Sequence, residues 1–219
     1  MEDTKMNSLS CSDCGLLHCF HRDKQFPEFC LTTNTRKELI DECVKLYKED
    51  ELVGKLAKTA AEIEGIYYGK LTRAEEIIAF AKRIGAKKIG IATCAGLINE
   101  TKIFSKIVRA KGLECYSVIC KVGSVDKTEI GIPNELKLQK DCFEGLCNPV
   151  LQAKLLNEAK TDLNVINGLC VGHDSLFIKY SEAIVTTLIT KDRVTGHNPA
   201  AALYTCNFYY KRLLQEDKD

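Results

Sequence analysis

The sequence predicts an α/β protein, a Rossmann-like parallel sheet of about four strands flanked by helices. Short apolar, β-rich runs lie between amphipathic helical patterns, and the alternation repeats along the chain. The runs lie at about residues 87–93, 114–120, 163–168 and 184–190. Right-handed crossovers favour the strand order 2-1-3-4, with the switch point between the first and third strands.

Capping signals predict where the helices begin. Thr35-Arg36-Lys37-Glu38 and Thr72-Arg73-Ala74-Glu75 both fit the capping box, in which a threonine and a glutamate satisfy each other's backbone N–H groups. Asn148-Pro149 and Asn198-Pro199 each place an N-cap residue before a proline at the first helical position. Gly65 predicts a helix end and the start of a linker.

These signals predict three parts of the chain. We expect a cysteine-rich metal-binding module at 1–34, a helical segment at 35–66 and the α/β domain at 67–219. Within the last part, residues 122–148 lack clear periodicity. A connection of that length is typical of a lid or binding loop.

Composition excludes several classes of partner. The net charge of +1 argues against nucleic acid or an anionic membrane as the main partner, and no apolar run approaches the length needed to cross a bilayer. The start at Met1–Lys5 is polar and does not resemble a signal peptide, so we expect the cytoplasm. There, twelve cysteines indicate metal-binding or catalytic thiols rather than disulfides. We expect about half of them to be buried apolar residues, above all Cys43, Cys115 and Cys206.

The first cysteine cluster lies at the N-terminus. Its spacing is C-x2-C-G-x3-C, followed by one more cysteine after ten residues. A C-x2-C turn lets both sulfurs face one ion, and four thiolates complete a tetrahedral shell suited to zinc or an iron–sulfur cluster. The predicted ligands are Cys11, Cys14, Cys19 and Cys30.

A second thiol-rich site is predicted at the carboxyl edge of the sheet. Cys94 and Cys170 follow neighbouring strands, roughly 5 Å apart, so their sulfurs are expected to share a metal, a cluster or a catalytic role. The loop supplies Cys142 and Cys147 as further cofactor-binding residues. Asp174 and Asn198 mark helix N-termini, whose positive ends lower thiol pKa values and favour bound anions.

Three functions remain open at this edge. The first is a metal-binding protein, with zinc or an iron–sulfur cluster, that serves redox chemistry or electron transfer to an unidentified substrate or partner. The second is an enzyme with Cys94 or Cys170 as nucleophile, His173 or His197 as base, and a purely structural N-terminal zinc. The third is metal handling or sensing without turnover. The chain contains no dinucleotide-binding glycine motif, phosphate loop or serine nucleophile elbow.

Several segments together resemble a known family. They are C-S-D-C-G near the start, Y-Y-G-K-L-T-R-A-E-E from Tyr67, C-N-P at Cys147, G-L-C-V-G-H-D and K-D-R-V-T-G-H-N-P. They are similar to a cysteine-rich prokaryotic family of metal-binding proteins of unknown function, found largely in anaerobes. The resemblance covers nearly the whole chain. It implies metal binding through Cys11, Cys14, Cys19, Cys30, Cys147 and Cys170, and it implies no reaction.

Overall fold

The computed structural model describes residues 9–22 and 25–216 of the chain. The polar start at residues 1–5 and the last three residues of the tail lie outside this part. The chain divides into two compact units, Met1–Lys58 and Thr59–Asp219. The domain boundaries expected at residues 34 and 66 stay predictions.

The helices and strands have the following bounds. The helices are α1 Leu31–Asn34, α2 Lys37–Glu49, α3 Glu51–Tyr67, α4 Arg73–Arg83, α5 Ile98–Ala110, α6 Pro149–Glu158, α7 His173–Tyr180 and α8 Ala200–Tyr204. The strands are β1 Lys88–Thr93, β2 Glu114–Ile119, β3 Leu163–Asn167 and β4 Ile184–Ile189. In the described part of the chain, no helix is long and apolar enough to cross a membrane.

The sheet confirms the predicted class and strand order. Its order is β2-β1-β3-β4, and each neighbouring pair is parallel. Thr93 pairs with Ile119 on one side and with Asn167 on the other, so the carboxyl ends of β1, β2 and β3 are level. Every connection out of these strands therefore begins at the same edge.

Helices cover both faces of the sheet because alternate strand residues point to opposite faces. On one face, Ile89 and Ile91 pack with residues of α4 and α5, including Ile78 and Phe104. On the other face, Ala92 packs with residues of α6 and α7, including Phe177. The central strands β1 and β3 are buried along nearly their whole length, as expected for strands covered on both faces.

Some local predictions hold and others are wrong. The capping box at Thr72 and the asparagine cap at Asn148 are confirmed. The capping box at Thr35 is wrong, because the Thr35 hydroxyl donates to the Leu31 carbonyl at 2.6 Å and so belongs to α1. The helix end at Gly65 is wrong, since α3 continues to Tyr67. The asparagine cap at Asn198 is wrong, because α8 begins at Ala200 with Pro199 as its N-cap residue and without a side-chain cap.

The predicted loop between β2 and α6 is held by the carboxylate of Asp126. Asp126 accepts the backbone N–H groups of Thr128 and Glu144, both at 2.9 Å, and the Lys137 ammonium at 2.8 Å. The Lys137 side chain is only 6% exposed. The ammonium, followed by the two N–H groups, lowers the pKa of Asp126 strongly. Asp126 also pairs with Gly145 across an antiparallel bridge, so the approach to Cys147 is ordered.

Gly90 provides a test of packing in the sheet. A Cβ at Gly90 would lie 2.2 Å from Asn164 Oδ1, which accepts the Thr161 hydroxyl in the core. We expect Gly90→Ala to lower the free energy of unfolding by about 1–3 kcal/mol, because overpacking breaks this buried network. Urea unfolding measures the change. Gly65→Ala is the matched control: nothing lies within 4 Å of its Cβ position, and we expect a gain of about 1 kcal/mol. Equal effects of the two substitutions would contradict this account.

Candidate thiol site at the sheet edge

Four cysteines leave the carboxyl edge from different elements. Cys94 directly follows β1, Cys120 directly follows β2, Cys147 lies just before α6, and Cys170 lies shortly after β3. Backbone hydrogen bonds fix these positions. Cys94 N–H donates to Asn167 at 3.4 Å, Cys120 N–H donates to Thr93 at 2.8 Å, and Asn148 N–H donates to the Cys120 carbonyl at 2.8 Å. The last of these ties the end of the loop to the end of β2.

A buried glutamine joins β1 to the outer strand β2 at the same edge. Gln152 is fully buried in α6, and its Nε2 donates to the carbonyls of Thr93 at 3.1 Å and Val118 at 2.7 Å. Each acceptor lies one or two residues before a site cysteine. One neutral amide therefore links the backbone segments that precede Cys94 and Cys120. Neither of its two hydrogen bonds involves a sulfur atom.

Cys94, Cys120 and Cys147 form a chain of thiols with Cys120 in the centre. Interaction with the Cys120 thiol is the largest cause that lowers the pKa of Cys94, to about 4, and that of Cys147, to about 5. The pKa of Cys120 is strongly raised, first by Cys147, then by Cys94 and by burial. These opposite shifts favour the ionised form of Cys94 and Cys147 and the protonated form of Cys120. The N–H of Ala95 also donates to Cys120 Sγ at 3.3 Å.

Basic groups stabilise the two outer thiolates. The Gly96 N–H and the Lys191 ammonium further lower the pKa of Cys94. Lys191 lies over the glycine backbone, since a Cβ at Gly96 would be 3.1 Å from its Nζ. Lys121 and His173 act in the same way on the pKa of Cys147. Cys147 is half-buried whereas Cys94 is only 8% exposed, so Cys147 is the more accessible thiolate.

Cys170 has a different partner. The Arg193 guanidinium donates through Nη2 to Cys170 Sγ at 3.0 Å. The charges of Cys94 and Cys147 also act on Arg193. The prediction that the cysteines following β1 and β3 share one edge agrees with this placement. The cysteine that acts on the pKa values of Cys94 and Cys147, however, is Cys120 and not Cys170.

The other predicted residues at this edge make local contacts. Cys142 is exposed, and its Sγ lies 3.6 Å from the Gln139 carbonyl. Asp174 accepts the Ser175 N–H at 2.8 Å. His197 Nδ1 accepts the Asp192 N–H at 3.2 Å, and the Asn198 carbonyl accepts the Ala201 N–H at 3.0 Å. His173 is the predicted base that lies within electrostatic reach of a thiolate.

The N-terminal cysteines lie in short turns. A 3₁₀ turn spans Cys11–Asp13, and the Cys14 N–H returns to the Cys11 carbonyl at 3.3 Å. Cys19 lies in the turn His18–Phe20, and Cys30 is the N-cap residue of α1. Throughout residues 9–22 and 25–216, no three His, Cys, Asp or Glu side chains are arranged to hold a metal ion. Neither predicted cysteine set forms a preorganised metal site.

Sequence reasoning missed some participants. Cys120 is the last residue of the predicted second strand. In the structure it directly follows β2, as Cys94 directly follows β1, and this equivalent position is the sequence feature that identifies it. Nothing in the sequence distinguishes Lys121 as a site residue except its position next to Cys120. Of the cysteines expected to be buried, Cys43 is exposed, which contradicts that prediction, and Cys115 and Cys206 are half-buried.

Comparison with known proteins gives a family without an assigned reaction. The model of a protein family of unknown function, DUF1847, matches residues 30–188, which include all four edge cysteines. The chain is 45% identical over 207 residues to the uncharacterised protein MJ0455 of Methanocaldococcus jannaschii, covering 94% of this chain and 99% of that one. No solved structure matches the chain. These matches are to proteins without an assigned metal or activity, and the chain belongs to the DUF1847 family of proteins of unknown function.

Proposed function

We propose that the protein is a thiol-dependent redox protein that exchanges electrons with a disulfide at the sheet edge. The observation that carries the proposal is the packing of Cys94, Cys120 and Cys147 at one edge of the sheet, and the opposite pKa shifts of these thiols support it. Thiol–disulfide exchange needs an accessible thiolate to attack and a second thiol close by to resolve the mixed disulfide. The three sulfurs supply both.

The first step falls to Cys147, the half-buried thiolate. Its sulfur attacks one sulfur of a substrate disulfide, the S–S bond breaks, and the other half leaves as a thiolate that takes a proton from solvent. A mixed disulfide remains on Cys147. The thiolate of Cys147 is the largest cause of the raised pKa of Cys120, so the attack itself removes that cause.

The second step falls to Cys120. It passes its proton along the hydrogen bond to the Cys94 thiolate, and its own sulfur then attacks Cys147 Sγ. The second half of the substrate leaves as a thiolate, and a Cys120–Cys147 disulfide forms. The substrate is reduced by two electrons and the cysteine pair is oxidised by two. A thiol or dithiol reductant returns the pair to its starting state.

Cysteine usage supports the reducing cytoplasm as the setting. All twelve cysteines are free, and cytosolic thiols are kept reduced by small thiols and dithiol proteins. Such a compartment supplies the reductant that the cycle requires.

The pH dependence of alkylation tests the first step. Protein kept at pH 7 is mixed rapidly with iodoacetamide in buffers from pH 4 to pH 9. Since the pKa of Cys147 is lowered to about 5, we expect one fast-reacting thiol whose rate is constant above about pH 6 and falls only as the pH drops through about 5. An ordinary thiol, with a pKa near about 8.5, would be less than about 1% ionised at pH 6.

Two serine variants identify the fast thiol. Cys147→Ser removes the fast phase, whereas Cys142→Ser, an exposed cysteine of the same loop, keeps it. A rate that falls throughout the range below pH 8.5, or a fast phase that survives Cys147→Ser, would contradict the assignment.

The fate of the mixed disulfide tests the second step. With a chromogenic aromatic disulfide, the wild-type site releases two thiols per chain in its fast reaction, because Cys120 resolves the adduct. Cys120→Ser releases one and keeps the other half bound, which intact mass measurement detects. Cys115→Ser, a half-buried cysteine within β2, is the control and behaves as wild type. Full release by Cys120→Ser would overturn its role.

A second candidate function is metal binding at the N-terminal module. The single turn that carries Cys11 and Cys14 at its two ends supports it, because this is the local geometry of a C-x2-C ligand pair. Cys19 and Cys30 are the remaining soft donors. Since no three donors are arranged to hold an ion in the described residues, binding would include ordering of these two cysteines around the turn.

Metal analysis tests this candidate. Protein purified without oxygen is expected to contain zinc, or iron with sulfide, and to lose it in Cys11→Ser/Cys14→Ser. The exposed Cys43→Ser serves as control and keeps the metal. A metal content that falls with Cys170→Ser or Cys94→Ser instead would move the cofactor to the sheet edge, as the sequence predicts, and would contradict the thiol–disulfide proposal.

A further inference from the structure

Three basic side chains lie at the sheet edge beside its cysteines. The Lys191 ammonium lies over the backbone at Gly96, the Arg193 guanidinium donates to Cys170 Sγ at 3.0 Å, and Lys121 directly follows Cys120. Lys121 and His173 both act on Cys147. Basic groups beside a reactive sulfur attract anions to it.

The carboxylates that the structure describes in these loops accept backbone N–H groups and form no ion pair with the three cations. Asp192 accepts the backbone N–H groups of Val194 at 2.8 Å and Thr195 at 2.9 Å, and Asp174 accepts that of Ser175. Within residues 9–22 and 25–216, the ion pairs that form involve other lysines and Arg83. In this part of the chain the three cations of the edge therefore have no carboxylate partner.

Arg193 is the cation best placed to meet a ligand. The Arg193 side chain is exposed. Among the described residues, its guanidinium donates a hydrogen bond only to Cys170, through Nη2, so its other N–H groups are available to a ligand. A guanidinium binds a carboxylate through two parallel hydrogen bonds. Lys191, in contrast, lies over Gly96 beside the buried Cys94.

The reaction itself increases the demand for an anion. When Cys147 becomes part of a mixed disulfide, the edge loses one negative charge while its cations remain. A carboxylate on the retained half of the substrate would replace that charge. The positive charge of these basic side chains is then best balanced when a negatively charged substrate is bonded to Cys147.

We propose that the substrate is a low-molecular-weight disulfide that carries a carboxylate, with Arg193 beside Cys170 as the residue that binds the carboxylate. This inference rests on the proposed thiol–disulfide function. It adds the chemical class of the substrate and a specificity-determining residue that does not itself exchange electrons.

Two disulfide probes of opposite character test the proposal. The first is 5,5′-dithiobis(2-nitrobenzoate), which carries two carboxylates, and the second is 4,4′-dithiodipyridine, which is neutral at pH 7. The rate constant of the fast thiol is measured with each probe at low salt. For Arg193→Gln we expect the anionic probe to react about tenfold more slowly and the neutral probe to change by less than about twofold. The neutral probe reports any change in thiolate content, so the ratio isolates binding of the anion.

Controls separate charge from folding. Lys106→Gln removes one exposed lysine of α5 and is expected to leave both rates unchanged. Arg193→Lys keeps the charge without the fork and is expected to lie between wild type and Arg193→Gln. For wild type, raising the salt from low to high concentration slows only the anionic probe, and this measurement needs no variant.

The outcomes distinguish the two proposals. If neither probe finds a fast thiol that Cys147→Ser removes, the thiol–disulfide function is wrong. If the fast thiol is present but salt and Arg193→Gln change both probes equally, the function stands and the anionic substrate class is wrong. A selective loss with the anionic probe supports both.

Discussion

Cys94, Cys120 and Cys147 pack together at the end of the sheet, and neighbouring thiols cannot all carry a negative charge without strong repulsion. The pKa of Cys120 is raised while the pKa values of Cys94 and Cys147 are lowered, so these shifts favour a proton on Cys120. Basic groups on the outside stabilise the two charges that remain, Lys191 next to Cys94 and Lys121 next to Cys147. Three residues of the same type therefore have opposite pKa shifts within one site.

The fold provides this arrangement because parallel strands end together. Strands β1, β2 and β3 end level with one another, so the residues that follow them lie at the same edge of the sheet. The loop from β2 to α6 returns Cys147 to the end of β2 through the hydrogen bond between Asn148 and Cys120. The ion pair of Asp126 with the buried Lys137 holds the loop that makes this return.

The sequence was informative about the sheet and less so about the contacts at its edge. Apolar runs between amphipathic helices predict the class, the strands and the order, because burial on both faces leaves a strong compositional pattern. Contact between Cys120 and Cys147 depends on one backbone hydrogen bond at the end of a long irregular loop, and periodicity does not encode such a bond. The misplaced cap at Thr35 has a similar cause, since its hydroxyl is used by the preceding turn. The charged turn that holds Arg193 is compatible in sequence with a functional or an ordinary role, and its hydrogen bond to Cys170 at 3.0 Å depends on contacts between separate loops.

The glutamine that joins β1 and β2 holds the scaffold without using the sulfurs. Its amide donates to main-chain carbonyls, which can accept these hydrogen bonds whether the neighbouring thiols are ionised, protonated or joined. The proposed thiol–disulfide exchange would therefore change side-chain bonds without removing either hydrogen bond that Gln152 makes to the strands.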